Sequence, residues 1–265
     1  MDNYYANPPS TPTSATTSTS RAPDVKKIGA LFDSYKGGHC PKNSYRRGLT
    51  LEVPLDSDTG NIGIDGTLKL CEDLGVNPED VVMLAVAYEL KSPGVGEWTR
   101  QGWVDGWKNL QCDQIQQMKA AIAQLSSKLS NDTDYFRSVY NFTFDFAKTE
   151  AGQRSIPVES AVAFWGLLLP AGLKGRALQH MDMKTGDDGE TVYTASRDPG
   201  WNATHSELWS EYMNEKGGKG VSKDTWMMFF DFVRTIDAKF EKYDADAAWP
   251  SAIDDFAEWA KEKLC

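Results

Sequence analysis

Residues 78–91 read Pro-Glu-Asp-Val-Val-Met-Leu-Ala-Val-Ala-Tyr-Glu-Leu-Lys. Pro78 suits the first turn of a helix, where a missing N–H costs nothing. Glu79 and Asp80 behind it complement the positive end of the helix dipole. After that start, Val81, Val82, Leu84, Ala85, Val86, Ala87 and Leu90 leave almost no polar face. A helix apolar nearly all round belongs in the middle of a protein, covered on every side. The stretch therefore predicts a buried central helix over 78–91 and an all-α fold built around it.

The surrounding sequence supplies the helices that would cover it. Upstream, Ile28, Leu31, Phe32 and Tyr35 share one face of a segment that opens near Asp24 and stops at Gly37-Gly38. A short helix spans 66–74 and ends at Gly75. Downstream, 99–110 carries Trp103 and Trp107 at i, i+4, and 113–130 is amphipathic. Residues 133–148 follow with Phe136, Val139, Tyr140, Phe142, Phe144 and Phe146, and a further helix runs over 157–169. Helices resume at 203–215, 222–241 and 251–263, each opened by a cap-like residue: Thr204, Ser222 and Ser251. Residues 172–200, rich in Gly with Asp, Thr and Pro199, read as an irregular loop. Alternation of strand type is brief, at Leu49–Leu55 and around Val192. Residues 1–22 include a tract of nearly pure Ser and Thr that cannot bury enough apolar surface to offset its ordering entropy. The expected layout is a disordered tail over 1–22 and one domain over 23–265, with long loops at 37–60 and 172–200.

Composition narrows the function. The 265 residues carry 28 Lys+Arg against 38 Asp+Glu, a formal charge of −10. That balance argues against a nucleic-acid partner, which needs clustered basic residues. The apolar runs are too short to span a bilayer, and the N-terminus lacks an apolar signal core, so no membrane role is expected. Cys40, Cys71, Cys112 and Cys265 are scattered, which favours a reduced intracellular protein. With no CxxC pair, no HExxH and only His39, His180 and His205, neither a metal nor another cofactor is expected. No nucleophile or phosphate-loop constellation emerges either, so no catalytic residue is assigned.

Two stretches carry more. Asp56-Ser-Asp-Thr-Gly-Asn-Ile-Gly-Ile-Asp65 suggests the loop of an EF-hand, with Asp56 and Asp58 at ligand positions 1 and 3. Gly60 removes the ligand at position 5, Asn61 replaces the turn glycine, and Thr67 stands where a bidentate Glu is needed. The loop reads as degenerate, keeping the helix pairing without the metal; an EF-hand-type calcium-binding regulator is the alternative. The second stretch is Asp224–Cys265, with ten Asp+Glu against five Lys+Arg, half of the net charge of the chain. Its carboxylates form an acidic face, which charge alone reads first as ordinary solvated surface and otherwise as a surface for a basic protein partner.

Lys223-Asp-Thr-Trp226, Asp231-Phe232, Tyr243-Asp244, Ala248-Trp-Pro250 and Ile253-Asp-Asp-Phe256 resemble, in order, the C-terminal signature of the defective-in-cullin-neddylation family, the PONY domain. Upstream, Asn61-Ile-Gly-Ile-Asp-Gly66, Cys71-Glu-Asp-Leu74, Asp105-Gly106, Cys112-Asp113, Tyr140–Lys148 and Ala163-Phe-Trp165 keep the same order. The resemblance covers about residues 23–265. It is to a fungal-type member without a ubiquitin-binding UBA domain, since 1–22 is too short and too polar for one.

The resemblance implies an elongated, all-helical domain of EF-hand-like pairs without functional calcium sites, working in cytoplasm and nucleus. It implies a scaffold-type co-ligase, without catalytic residues of its own, that promotes transfer of a Nedd8/Rub-type modifier from its conjugating enzyme to a cullin lysine. The implied partners are the winged-helix region at the cullin C-terminus, the N-acetylated conjugating enzyme and a RING-box protein. The cullin-binding patch falls on Asp224, Ala248 and Asp254, with helix capping as a second role for Asp224. The pocket for the acetylated N-terminal Met of the conjugating enzyme falls on Ile64, Met83, Leu84, Ala87, Leu90, Trp98, Phe146, Phe164 and Leu167. Thr67 departs from the pattern, standing where the family implies an aliphatic residue.

Overall fold

The structure, a computed structural model, describes residues 22–37, 60–150, 152–185, 191–244 and 246–264. The tail and most of the 37–60 loop, including Asp56, Asp58, Cys40 and the Leu49–Leu55 alternation, lie outside the described residues. The elements run α1 (Val25–Tyr35), α2 (Ile64–Leu74), α3 (Val82–Glu89), α4 (Arg100–Asn109), α5 (Ile115–Asn131), α6 (Thr133–Phe146), β1 (Ser155–Ile156), α7 (Val158–Lys174), β2 (Met181–Thr185), β3 (Thr191–Ala195), α8 (Ala203–Lys216), β4 (Val221–Ser222), α9 (Lys223–Thr235) and α10 (Ser251–Leu264). The fold is mostly helical, as the periodicity predicts, but two short antiparallel sheets, β1–β4 and β2–β3, correct a strict all-α reading.

Two helix–loop–helix pairs organise these elements. In the first, the loops before α2 and α4 meet in an antiparallel bridge, Ile62 to Trp98, with both N–H···O bonds at 3.0 Å. In the second, β1 in the α6–α7 loop pairs with β4 in the α8–α9 loop, Ser155 opposite Ser222 and Ile156 opposite Val221. Ile156 and Val221 are buried, so the ladder is anchored by apolar burial as well as by backbone bonds. Helix α5 packs against α2, α3, α6 and α7 and so ties the pairs together, while α10 closes the far end against α8 and α9.

Every residue from Val82 to Ala87 is buried, as expected of a central helix. It starts at Val82 rather than at Pro78. The Asp80 N–H donates to the Asn77 carbonyl (2.9 Å), and the Asp80 carboxylate accepts the Val82 N–H (2.9 Å), so residues 77–80 form a turn that caps the helix. Close approach in the first pair is licensed by glycine. A Cβ on Gly66 would overlap the Tyr35 carbonyl oxygen, and one on Gly102 the Leu90 carbonyl oxygen.

Stacked aromatic rings fill the second pair. Trp226 lies between Tyr140 (centroids 4.6 Å) and Trp165 (4.9 Å), and Phe229 stacks on Trp209 (4.2 Å). The polar ends of the first three are satisfied within the stack. Tyr140 donates its hydroxyl to the Trp226 carbonyl (2.8 Å), the Trp226 indole donates to the Tyr140 carbonyl (3.0 Å), and the Trp165 indole donates to the Tyr140 hydroxyl (2.9 Å). Buried rings with internally paired polar atoms gain area without a desolvation cost.

Three further boundaries differ from the sequence expectation. Helix α7 runs through Pro170 to Lys174, and the remainder of the 172–200 loop contains the β2–β3 hairpin, to which Val192 belongs. Helix α8 is capped by Asn202, whose side chain accepts from the N–H groups of Thr204 and His205, rather than by Thr204. The helix expected over 222–241 ends at Thr235. There the Asp237 carboxylate accepts the backbone N–H groups of Lys239, Glu241 and Lys242 (3.1, 3.1 and 2.7 Å), folding 237–242 into a compact turn. Burial works to raise the Asp237 pKa, but those three donors outweigh it and hold the carboxyl below its ordinary value. Phe240, buried completely, takes a positive φ of 58° to close the turn.

Candidate functional site

The acidic residues singled out in the sequence sit at the N-terminal ends of the last two helices. Ser222 caps α9, its hydroxyl accepting the Thr225 N–H (3.0 Å). Asp224 is therefore the second helical residue and does not cap. It is exposed and has no hydrogen bond or ion pair among the described residues, although the positive end of the α9 dipole favours its charge. Ala248 is exposed in the segment leading to α10. Asp254, in the first turn of α10, is half-buried and accepts a hydrogen bond from the Tyr243 hydroxyl. Burial, together with that carboxylate, raises the Tyr243 pKa far above its ordinary value, so Tyr243 remains a donor.

Packing relates the two helix ends. Phe232 of α9 meets Tyr243 (6.1 Å between centroids) and Trp249 (5.6 Å), which flank Ala248 in sequence. Asp224 lies eight residues before Phe232, about 12 Å along the axis at ~1.5 Å per residue. Of the three residues, Asp254 is held by Tyr243, while Asp224 and Ala248 are exposed. Carboxylates with remaining acceptor capacity suit Arg or Lys donors.

The nine apolar residues span α2, the 91–98 loop, α3, α6 and α7. Phe146 and Phe164 meet edge to face (6.2 Å), and Phe146 reaches α3 through Phe142 (5.4 Å) and Tyr88 (5.7 Å). Met83, Leu84, Ala87, Leu90, Trp98 and Phe146 are buried members of the core, Phe164 and Leu167 are half-buried, and Ile64 is 53% exposed. Ile64 is accompanied by two exposed apolar side chains that sequence reading passed over, Leu68 and Val95. Leu68 stands one turn beyond Ile64 on α2, a spacing that could have flagged it. A cleft of about 790 Å³ between α7 and α8, floored by Trp165 and Trp201, contains none of the nine.

Thr67 has a clear role inside the fold. Its buried hydroxyl accepts the Trp98 indole N–H (2.7 Å) and lies 2.9 Å from the carbonyls of Gly63 and Gly96. An aliphatic residue would leave the Trp98 indole without this partner. The same arrangement bears on calcium: Thr67, at the twelfth position of the suggested loop, turns its oxygen inward to Trp98. Among the described residues no group of three His, Cys, Asp or Glu side chains is placed to hold a metal ion.

Residues 117–259 match the family model described as Cullin binding. The chain is 34% identical over 263 residues to "Defective in cullin neddylation protein 1" of Mycosarcoma maydis, covering 90% of this chain and 76% of that protein. It is 37% identical over 214 residues to the protein of the same name from Cryptococcus neoformans, covering 78% and 72%. It is 34% identical over 208 residues to "DCN1-like protein 4" of Homo sapiens, covering 76% and 58%. The matched region contains both ends of the acidic patch and the whole second helix pair, and the chain belongs to the defective-in-cullin-neddylation, or cullin-binding, family.

Proposed function

We propose that the protein promotes cullin neddylation as a scaffold, holding a cullin with one surface and the modifier-charged conjugating enzyme with another. Membership of the cullin-binding family is the observation that carries the reading. The gain is orientation. Fixing a thioester and an acceptor lysine near one another converts a two-body encounter into a nearly unimolecular step. No group of this chain forms or breaks a bond in that account; the lysine and the thioester cysteine belong to the partners.

In this proposal Asp224, Ala248 and Asp254 bind basic groups on the winged-helix region of the cullin. The exposure of Asp224 and Ala248 and the fixed position of Asp254 support it. The acetylated N-terminus of the conjugating enzyme docks at the opening beside Ile64, Phe164 and Leu167, over Met83 and Phe146, with Leu84, Ala87, Leu90 and Trp98 behind. The exposed apolar trio Ile64, Leu68 and Val95 supports that choice. An acetamide enters such a surface at far lower cost than a free ammonium. A RING-box protein completes the assembly, in cytoplasm and nucleus.

The domain over 23–265 is proposed to be a pair of EF-hand-like units without functional calcium sites. The loop-to-loop bridges Ile62–Trp98 and β1–β4 and the inward-turned Thr67 support that reading. The test is a reconstituted transfer assay with a cullin C-terminal fragment as acceptor. The protein should accelerate transfer from an N-acetylated conjugating enzyme more than from an unacetylated one. Equal acceleration would sink the pocket assignment, and no acceleration the function.

A further inference from the structure

Among the described residues, two arginines of this acidic chain share one aromatic ring. Arg137 of α6 and Arg234 of α9 lie over the same ring, Phe230, at 4.3 and 5.5 Å from its centroid. A single carboxylate, Asp231, serves them, and it is taken by Arg137 (2.7 Å). Arg234 has no hydrogen bond or ion pair among the described residues, and its Nε is buried without an acceptor. Burial and the like charge of Arg137 both lower the Arg234 pKa; Asp231, Asp134 and Tyr193 attract it only at longer range. The Phe230 ring and the C-terminal end of α9 both favour a cation there, but neither supplies the guanidinium with a hydrogen-bond acceptor.

The approach to this place is apolar. On the hairpin, Met183 of β2 stands opposite Tyr193 of β3, and β2 packs against α9. Both side chains are about half exposed, 48% and 49%. We infer that Arg234, beside Arg137 and with Tyr193 and Met183 exposed on the adjacent hairpin, is a docking point for a carboxylate side chain of an acidic protein segment. The choice of carboxylate follows from the site itself, where Arg137 already holds one in the planar geometry that suits a guanidinium fork. An incoming Asp or Glu would give the Arg234 guanidinium a hydrogen-bond acceptor of its own. Its apolar neighbours would cover Met183 and Tyr193. This surface is separate from the acidic patch and needs nothing from the neddylation reading.

The probe is a capped peptide, acetyl-Gly-Leu-Asp-Glu-Leu-Gly-amide, titrated into the full chain at low ionic strength and followed by amide chemical shifts. Saturable binding is expected, weakened about tenfold or more by Arg234→Met and by Tyr193→Ala, and absent for the Asn-Gln peptide. Equal binding by wild type and Arg234→Met, or no saturable binding to wild type, overturns the proposal. So does Arg234-dependent binding of a phosphoserine peptide where the Asp-Glu peptide fails, which would make the site one for phosphate. Arg234→Met should leave the melting temperature unchanged or raised; a clear fall would assign Arg234 to folding and overturn the inference as well.

Discussion

The two helix pairs share a plan and differ in what holds them. In the first, one residue pair bridges the loops, and a polar knot of Thr67, Trp98, Gly63 and Gly96 fixes them, with Gly66 and Gly102 letting backbones touch. In the second, a two-residue ladder is backed by Tyr140, Trp226 and Trp165 stacked in series. One pair depends on a few directional bonds and close backbone contact, the other on a large dispersive interior. Backbone topology alone thus does not decide how a fold tolerates change. Directional knots fail when one atom is lost, whereas stacked cores fail in proportion to the area removed.

The largest effect is expected in the stack. Trp226→Ala should destabilise the protein by about 3–5 kcal/mol in urea unfolding, since it removes a fully buried ring and, with it, the indole donor to the Tyr140 carbonyl. A loss below about 1 kcal/mol would break the contrast between the pairs. Next comes Asp254→Lys, which should weaken binding of a cullin C-terminal fragment by about 2–5 kcal/mol while leaving the helical circular dichroism intact. Unchanged affinity would remove Asp254 from the proposed cullin-binding patch.

Thr67→Val tests the knot in the first pair. It keeps the shape and deletes the acceptor of the Trp98 indole, so a cost of about 1–3 kcal/mol is expected, visible as a lower urea midpoint. A neutral result would show that both pairs are held by packing alone.

Asp237→Asn should cost about 1 kcal/mol near neutral pH by weakening three backbone bonds to a charged acceptor. The folded Asp237 pKa lies below its unfolded value. Its contribution is therefore complete above the ordinary Asp pKa and is lost as pH falls through the folded value. Below about pH 4 the wild type should lose stability faster than the Asn variant; parallel acid limbs would count against the carboxylate's role in the turn. The smallest effect is Tyr243→Phe, which releases Asp254 and should reduce cullin-fragment affinity by roughly 0.5–1 kcal/mol.

Much of the helical framework was legible because apolar period and capping chemistry are local. Ile28, Phe32 and Tyr35 are buried on one face of α1, Val82–Ala87 fill the centre, and Ser222 caps α9. What escaped depends on distant partners. The hairpin lies in a Gly-rich stretch where only Val192 hinted at strand, and its pairing becomes evident only through register. Helix α9 stops at Thr235 because Asp237 gathers amides up to five residues ahead, although Phe240 continued an apparently helical apolar pattern. At the candidate site, Asp224 and Asp254 were readable as types in a signature. The Tyr243 bond to Asp254 and the Thr67 bond to Trp98 span 11 and 31 residues and needed the fold.

Helix α3 has a consequence for synthesis. Its buried faces are covered by α4, α5 and α6, the last of which ends at Phe146. A nascent chain emerging in order therefore carries six consecutive apolar residues, Val82–Ala87, with no complete cover until more than fifty further residues have left the ribosome. For that interval the segment that organises the finished fold is its most adhesive part, and ribosome-bound chaperones would meet it first.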